Sequence, residues 1–138
     1  LFENDLHIST LQELINKYED VFLIVLDDKD RQIKISDKVL KFKKILLKEF
    51  NSKFSNTKIV NSSNLYKELV NCLNVDVLYP GQGDNLDFLQ RLKTQKDSVF
   101  NYLVREEDLY SWKFAKKGFF KFKENIPKIN NFLGIGKY

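Results

Sequence analysis

A run of six apolar residues at positions 21–26, Val-Phe-Leu-Ile-Val-Leu, constrains the fold of this chain more than any other feature. Three of the six are β-branched and one is aromatic, which favours a strand. The run is too short to cross a bilayer and is typical of a strand buried on both faces. We therefore expect the remaining elements to cover the two faces of this strand.

Length and composition predict one folded domain. The chain has 138 residues, of which 43% are hydrophobic and 30% charged, and it contains twelve Phe, six Tyr and one Trp. Such a chain can bury a single core and is not typical of a disordered protein. No apolar run is long enough for a transmembrane helix, so we expect a soluble protein. Because the chain contains no Met, we expect either trimming ahead of Leu1 or a domain of a longer chain.

The chain has one cysteine, Cys72, and one histidine, His7. A single cysteine excludes an intramolecular disulfide and favours a reducing, cytoplasmic compartment. A single histidine argues against Ser-His-Asp and Cys-His relays and excludes a multi-histidine metal site. We therefore predict no catalytic residue, no metal site and no cofactor from these residue types.

Residues 1–80 alternate between helix and strand patterns. A capping pattern at Thr10 and Glu13 predicts a helix over residues 10–19, directly before the strand at 21–26. Residues 32–35 alternate polar and apolar side chains, which predicts a second strand and a hairpin. The other elements predicted here are a short strand at 5–8, a helix beginning at Ser36 or Asp37, a strand at 57–60, a helix capped by residues 61–64 and a strand at 75–79.

The helix that begins at Ser36 or Asp37 has two distinct sides. Its predicted apolar side comprises Val39, Leu40, Phe42, Leu46, Leu47 and Phe50. Its other side carries Lys38, Lys41, Lys44 and Lys48. Such a row of lysines indicates either a solvated helix face or an anion-binding surface.

Beyond the turn at residues 80–83, Pro-Gly-Gln-Gly, the pattern is helical. Leu86, Leu89 and Leu92 predict one helix, and a longer one capped by Asp97 places Val99, Leu103, Tyr110 and Phe114 on its inner side. A last short helix follows around Pro127. The predicted fold class is α/β, with a mostly parallel or mixed sheet of about four strands flanked by helices and a helical C-terminal third. We expect residues 1–138 to form a single domain, with an alternating core over 1–80 and a helical extension over 84–138.

Polar residues follow three of the predicted strands, where ligands bind in open α/β sheets. They are Asp28, Asp30, Ser62, Ser63, Asp84 and Asp87. The set resembles the motifs of the haloacid dehalogenase phosphatases, with Asp-Lys-Asp at 28–30, Ser at a second strand end and Gly-Asp-Asn-Leu-Asp at 83–87. The resemblance implies a Mg²⁺-dependent phosphatase or nuclease, in which one carboxylate attacks a phosphoryl group and others hold the metal. The alternative interpretation is structural, because these residue types also form turns and helix caps.

Residues 110–123, the basic aromatic segment, interleave six aromatic side chains with five lysines. From Leu109 onward the chain carries seven lysines against one glutamate, whereas the first 108 residues carry a net charge of −2. We predict an interaction module that binds through this segment, with its binding residues Trp112, Lys113, Lys116, Lys117, Phe119, Phe120, Lys121 and Lys123. Nucleic acid is favoured over an acidic protein surface, because rings stack on bases and ammonium groups neutralise phosphates. In the alternative, structural interpretation, an assembly domain buries Trp112, Phe119, Phe122 and Phe132 in its core.

Overall fold

The computed structural model describes residues 1–6, 11–95 and 99–135. It divides into two compact units, Leu1–Tyr102 and Leu103–Tyr138. His7 and the predicted caps Thr10 and Asp97 lie outside the described residues, as does part of the strand predicted at 5–8. Asp5, the first residue of that predicted strand, is instead the last residue of a 3₁₀ turn, Glu3–Asp5.

Helices and strands alternate through most of the chain. In order they are α1 (Leu11–Ile15), β1 (Val21–Val25), α2 (Asp37–Asn51), β2 (Thr57–Asn61), α3 (Ser62–Glu68), β3 (Asn74–Leu78), α4 (Asp84–Thr94), β4 (Val99–Leu103), α5 (Glu106–Trp112), α6 (Phe119–Lys123) and α7 (Ile126–Phe132). Short 3₁₀ turns also occur at Asp28–Asp30 and Ala115–Lys117. The longest helix has 15 residues. Nowhere in the described ranges does a helix combine the length and hydropathy that crossing a membrane requires.

The predicted strand at 21–26 forms as β1 and has a backbone partner at each edge. β1 pairs in parallel with β2, from Val21 opposite Thr57 to Val25 opposite Asn61. At the other edge, Ile24 N donates to Leu1 O at 2.8 Å, and the Leu1 amino group donates to Phe22 O at 2.9 Å. The two N-terminal residues therefore act as a short third strand beside β1.

The prediction that β1 is buried on both faces is confirmed. Leu23 and Val25 pack into one hydrophobic cluster with residues of α1 and α2, and Ile24 packs into a second cluster with residues of α3, β3 and α4. Successive residues of a strand point to opposite faces, which is why adjacent residues enter different clusters. Complete burial of each such aliphatic side chain contributes about 1.5–3 kcal/mol.

The mixed α/β class is confirmed, but the predicted sheet of about four strands is wrong. The strands form two parallel two-stranded sheets, one of β1 and β2 and the other of β3 and β4. Because β1 is already paired at both edges, it has no free edge for another strand, and β3 pairs with β4.

Two further element predictions are wrong for identifiable reasons. Residues 32–35 form no strand, because both edges of β1 are occupied, and Ile33 is exposed to solvent. The long helix predicted from Asp97 through Phe114 is interrupted by β4, where Phe100 and Tyr102 pack inward and Asn101 points outward. Val99 and Leu103 have the i, i+4 spacing of a helix, but the residues between them alternate between apolar and polar side chains, as in a strand. The packing of Phe100 and Tyr102 stabilises the strand.

The predicted boundaries of α2 and α4 are close to those observed. Ser36 caps α2, since its Oγ accepts a hydrogen bond from Val39 N at 3.4 Å. The predicted apolar side of α4 is confirmed, with Leu86, Leu89 and Leu92 all buried. On α2 the prediction is only partly correct, because Leu47 and Phe50 are buried whereas Val39 and Phe42 are exposed.

Candidate functional site

The basic aromatic segment begins in α5 and ends with α6. Glu106, Glu107 and Asp108 occupy the first turn of α5, where carboxylates stabilise the positive end of the helix dipole. Gly118 adopts a φ of 81°, a left-handed conformation that favours glycine, and it separates the 3₁₀ turn at Ala115–Lys117 from α6. The segment is therefore a series of helical turns and not one continuous helix.

Tyr110 holds the segment to α7. Its ring stacks on Phe132 with centroids 4.0 Å apart and an interplanar angle of 5°. The ring of Phe114 meets Tyr110 edge-on at 5.5 Å, and Lys113 Nζ lies 5.3 Å from the Tyr110 centroid. Aromatic pairs of this kind contribute about 0.5–1.5 kcal/mol beyond the area that they bury. These rings stabilise the second unit itself.

Other rings of the segment face solvent. The exposed fractions are 43% for Trp112, 68% for Phe119 and 81% for Phe120. Phe119 and Phe120 meet edge-on with centroids 5.7 Å apart. Exposed aromatic side chains next to one another cost hydration free energy and are typical of a surface that contacts a partner. Phe119 is therefore not buried in a core as the structural interpretation required, and Phe132 is also partly exposed.

The lysines of the segment surround these rings. Lys113, Lys116, Lys121 and Lys123 are exposed, and the side chain of Lys117 lies outside the described part of the structure. Lys121 pairs with Glu124 at 3.3 Å, an exposed ion pair that contributes little free energy. No ion pair joins Lys113, Lys116 or Lys123 to any side chain in the described ranges. Their ammonium groups are therefore available to an anionic partner.

The second predicted site, at the carboxyl ends of β1 and β2, is partly assembled. Ser62 is buried, and its Oγ accepts a hydrogen bond from Asp27 N at 2.8 Å and donates one to Asp30 Oδ2 at 2.6 Å. Ser63 N donates to Asp27 Oδ2 at 3.2 Å. The two carboxylates that contact the serines are therefore those of Asp27 and Asp30. The sequence-based prediction had named Asp28 and Asp30.

Hydrogen bonds determine the protonation of Asp27. Burial raises the pKa of Asp27, but hydrogen bonds from the side chain and backbone of Ser63 and from Ser62, with the charge of Lys29, outweigh it, so that the pKa is lowered. Asp27 is therefore ionised at neutral pH and acts as an acceptor that ties β1 to the start of α3.

The remaining carboxylates of this site bind the loop after β1. Gln32 N donates to Asp84 Oδ1 at 3.0 Å, and Gln32 Nε2 donates to Asp87 Oδ2 at 2.7 Å. Arg91 Nη2 donates to Asp30 O at 3.1 Å. Across the described residues, no three His, Cys, Asp or Glu side chains are grouped so that they could hold a metal ion. The polar groups at these strand ends mainly bind one another.

Helix α2 presents a basic face with exposed apolar side chains. Val39, Phe42 and Ile45 are exposed on the same helix as the four exposed lysines of the predicted row. Sequence reasoning missed Lys43, which lies on the buried side and pairs with the buried Glu3. Lys43 precedes Leu47 by four residues and Phe50 by seven, a spacing that places all three on one helix face. This spacing could have indicated an ion pair, because a lysine on a buried helix face needs a partner.

Comparisons of this chain with protein-family models, with curated proteins and with solved structures found no match.

Proposed function

We propose that this chain is a non-catalytic interaction module that binds single-stranded nucleic acid through its basic aromatic segment. The observation that carries the proposal is the exposure of Trp112, Phe119 and Phe120 next to exposed lysines. Proteins that bind single strands combine rings for base stacking with cations that follow the phosphates. A protein partner of acidic character would use the same cations but would not require stacking on the rings.

The charge contribution can be tested by its salt dependence. For single strands, the plot of the logarithm of the binding constant against the logarithm of the salt concentration becomes steeper by about 0.7 for each phosphate neutralised. We expect the triple variant Lys113→Glu, Lys116→Glu and Lys123→Glu to abolish or strongly weaken binding, and the residual slope to fall by about 2. Fluorescence anisotropy with a labelled oligothymidylate, over a range of salt concentrations, measures both quantities.

A matched control has the same change in charge at a different place. The triple variant Lys38→Glu, Lys41→Glu and Lys44→Glu alters the exposed face of α2 by the same net charge. We expect it to bind almost as well as the unaltered chain, with nearly the same salt slope. Equal losses in the two triple variants would indicate attraction by net charge alone and would reject the segment as the binding site.

Stacking has its own readout, because Trp112 is the only tryptophan of the chain. A base stacked on the indole quenches its fluorescence, so titration with an unlabelled oligonucleotide should quench the signal of Trp112. We expect Phe120→Ala to cost about 1–3 kcal/mol of binding free energy if its ring stacks on a base. Binding of poly-glutamate with the same affinity, and no quenching by oligonucleotides, would favour an acidic protein partner over nucleic acid.

A further inference from the structure

A polar cavity of about 170 Å³ lies in the first unit, away from the basic aromatic segment in sequence. Its lining includes Glu3, Asn4, Arg31, Lys43, Gln82 and Asp84. Glu3 directly follows Phe2, which pairs in parallel with β1, and Gln82 follows β3 by four residues. The cavity is therefore lined by segments that follow strands of two separate sheets.

One buried carboxylate oxygen at this cavity lacks a partner. The Glu3 side chain is 97% buried and pairs with Lys43 through Oε1. Its second oxygen, Oε2, is buried without a hydrogen bond to the described residues. Buried carboxylate oxygens are normally satisfied, because each unmade hydrogen bond to a charged group is costly. This oxygen has almost no accessible surface and the charge of Glu3 is already neutralised by Lys43, so Glu3 is a buried part of the cavity wall and not a contact point for a ligand.

The cavity also presents one cation and one anion that are not neutralised. Arg31 donates from Nε and Nη2 to Leu26 O, at 3.3 and 3.2 Å, and forms no ion pair within the described ranges. Asp84 accepts a hydrogen bond from Gln32 N and likewise forms no ion pair there. The lining thus has a free positive charge at Arg31 and a free negative charge at Asp84, whereas the charges of Glu3 and Lys43 neutralise each other.

We propose that this cavity binds a small zwitterion with the charge pattern of a free α-amino acid. The ligand carboxylate would pair with Arg31, whose planar guanidinium suits carboxylates, and the ligand ammonium would donate to Asp84. At about 170 Å³, the cavity is smaller than the pockets of roughly 300–1,000 Å³ that hold drug-sized ligands, and it suits a small metabolite.

Other small ligands fit the lining less well. A free phosphate would be repelled by Asp84, and a divalent cation would be repelled by Arg31. The described residues also contain no group of three carboxylate, imidazole or thiol side chains placed to hold a metal ion. Only a ligand that carries both charges satisfies both signs of the lining.

The test is isothermal titration calorimetry of the whole chain with free α-amino acids, and with the amide and the N-acetyl derivative of each. We expect at least one free amino acid to bind, and both of its derivatives to bind at least tenfold more weakly, since each lacks one charge. Sodium phosphate and magnesium chloride serve as probes for the two competing ligand classes.

Two variants test which residue binds the ligand carboxylate and which binds the ligand ammonium. Arg31→Gln should weaken the free amino acid at least tenfold and remove its advantage over the amide, whereas Asp84→Asn should remove its advantage over the N-acetyl derivative. Asp84→Asn keeps an oxygen for Gln32 N, so it preserves the loop contact, and circular dichroism checks the fold of both variants. Lys41→Gln, on the exposed face of α2, is the control and should change nothing.

Three results would overturn the proposal. They are the absence of binding by every free amino acid at millimolar concentration, equal binding of a free amino acid and its two derivatives, and binding of phosphate or Mg²⁺ in place of amino acids.

Discussion

Replacing Ser62 by alanine tests how the ends of β1 and β2 are held together. Ser62 is 96% removed from solvent, and its hydroxyl joins the backbone of Asp27 to the carboxylate of Asp30. Ser62→Ala leaves Asp27 N without its acceptor and removes the 2.6 Å hydrogen bond to Asp30 Oδ2. Alanine fits the space of serine, so the change removes these two bonds without adding a clash.

The expected cost follows from the two bonds. Leaving a buried backbone N–H unpaired costs about 1–3 kcal/mol, and a hydrogen bond to a charged group contributes about 1.5–3 kcal/mol. The Asp30 side chain keeps 18% of its surface exposed, so water replaces part of the second bond. We therefore expect Ser62→Ala to lower the free energy of unfolding by about 2–3 kcal/mol.

Urea denaturation followed by far-ultraviolet circular dichroism measures this change. Trp112 fluorescence is unsuitable, because that residue belongs to the second unit. The control is Ser55→Ala, at an exposed serine, which should change the stability by no more than about 0.5 kcal/mol. If Ser62→Ala costs no more than Ser55→Ala, the hydrogen bonds at the strand ends do not stabilise the fold as argued.

Two further predictions concern the packing and the pH dependence of the first unit. Leu23 has no solvent exposure, and Leu23→Ala should lower the free energy of unfolding by about 2–5 kcal/mol. Leu73 is 83% exposed, and Leu73→Ala should lower it by about 0.5 kcal/mol or less in the same urea assay. Similar values for the two variants would mean that β1 is not the centre of the core. The Tyr18 hydroxyl donates to Asp76 Oδ2 at 2.7 Å, and this bond raises the pKa of Tyr18 to about 12 and lowers the pKa of Asp76. Its stabilisation is therefore full between the unfolded-state pKa values, about 4 for Asp and about 10 for Tyr, and is lost as the pH rises toward 12 or falls below 4. Tyr18→Phe should flatten the stability profile at both extremes, measured by urea denaturation across pH, and an unchanged profile would contradict the role of this bond.

The central strand could be predicted from sequence because a short, uninterrupted apolar run has few other interpretations. The starts of α2 and α4 could also be predicted, since Ser36 and the glycine before Asp84 are local signals. The pairing of Leu1 and Phe2 with β1 could not be predicted. Leu1 and Phe2 reach Ile24 across more than twenty residues of chain, and a contact of that kind leaves no pattern in the residues between them.

Ambiguous periodicity explains the wrong prediction of a helix at residues 99–103 and the partly wrong prediction of the apolar side of α2. Residues 99–103 fit a helical spacing and a strand alternation equally well, and only the burial of Phe100 distinguishes them. On α2, apolar residues occur on more than one side, so the sequence does not determine which of them face the core. For the candidate site, sequence could name the rings and lysines of residues 110–123, but exposure depends on which partners the neighbouring helices provide.

The pairing of Leu1 and Phe2 with β1 also has a consequence for self-association. An uncovered strand edge offers unpaired N–H and C=O groups to a second molecule, which is a common start of β-aggregation. Here the apolar strand β1 is closed off by a two-residue strap, held in place by the fully buried ring of Phe2. Because loosening that ring would open the most apolar strand of the molecule to another copy, we expect changes at Phe2 to promote aggregation as well as to destabilise the fold.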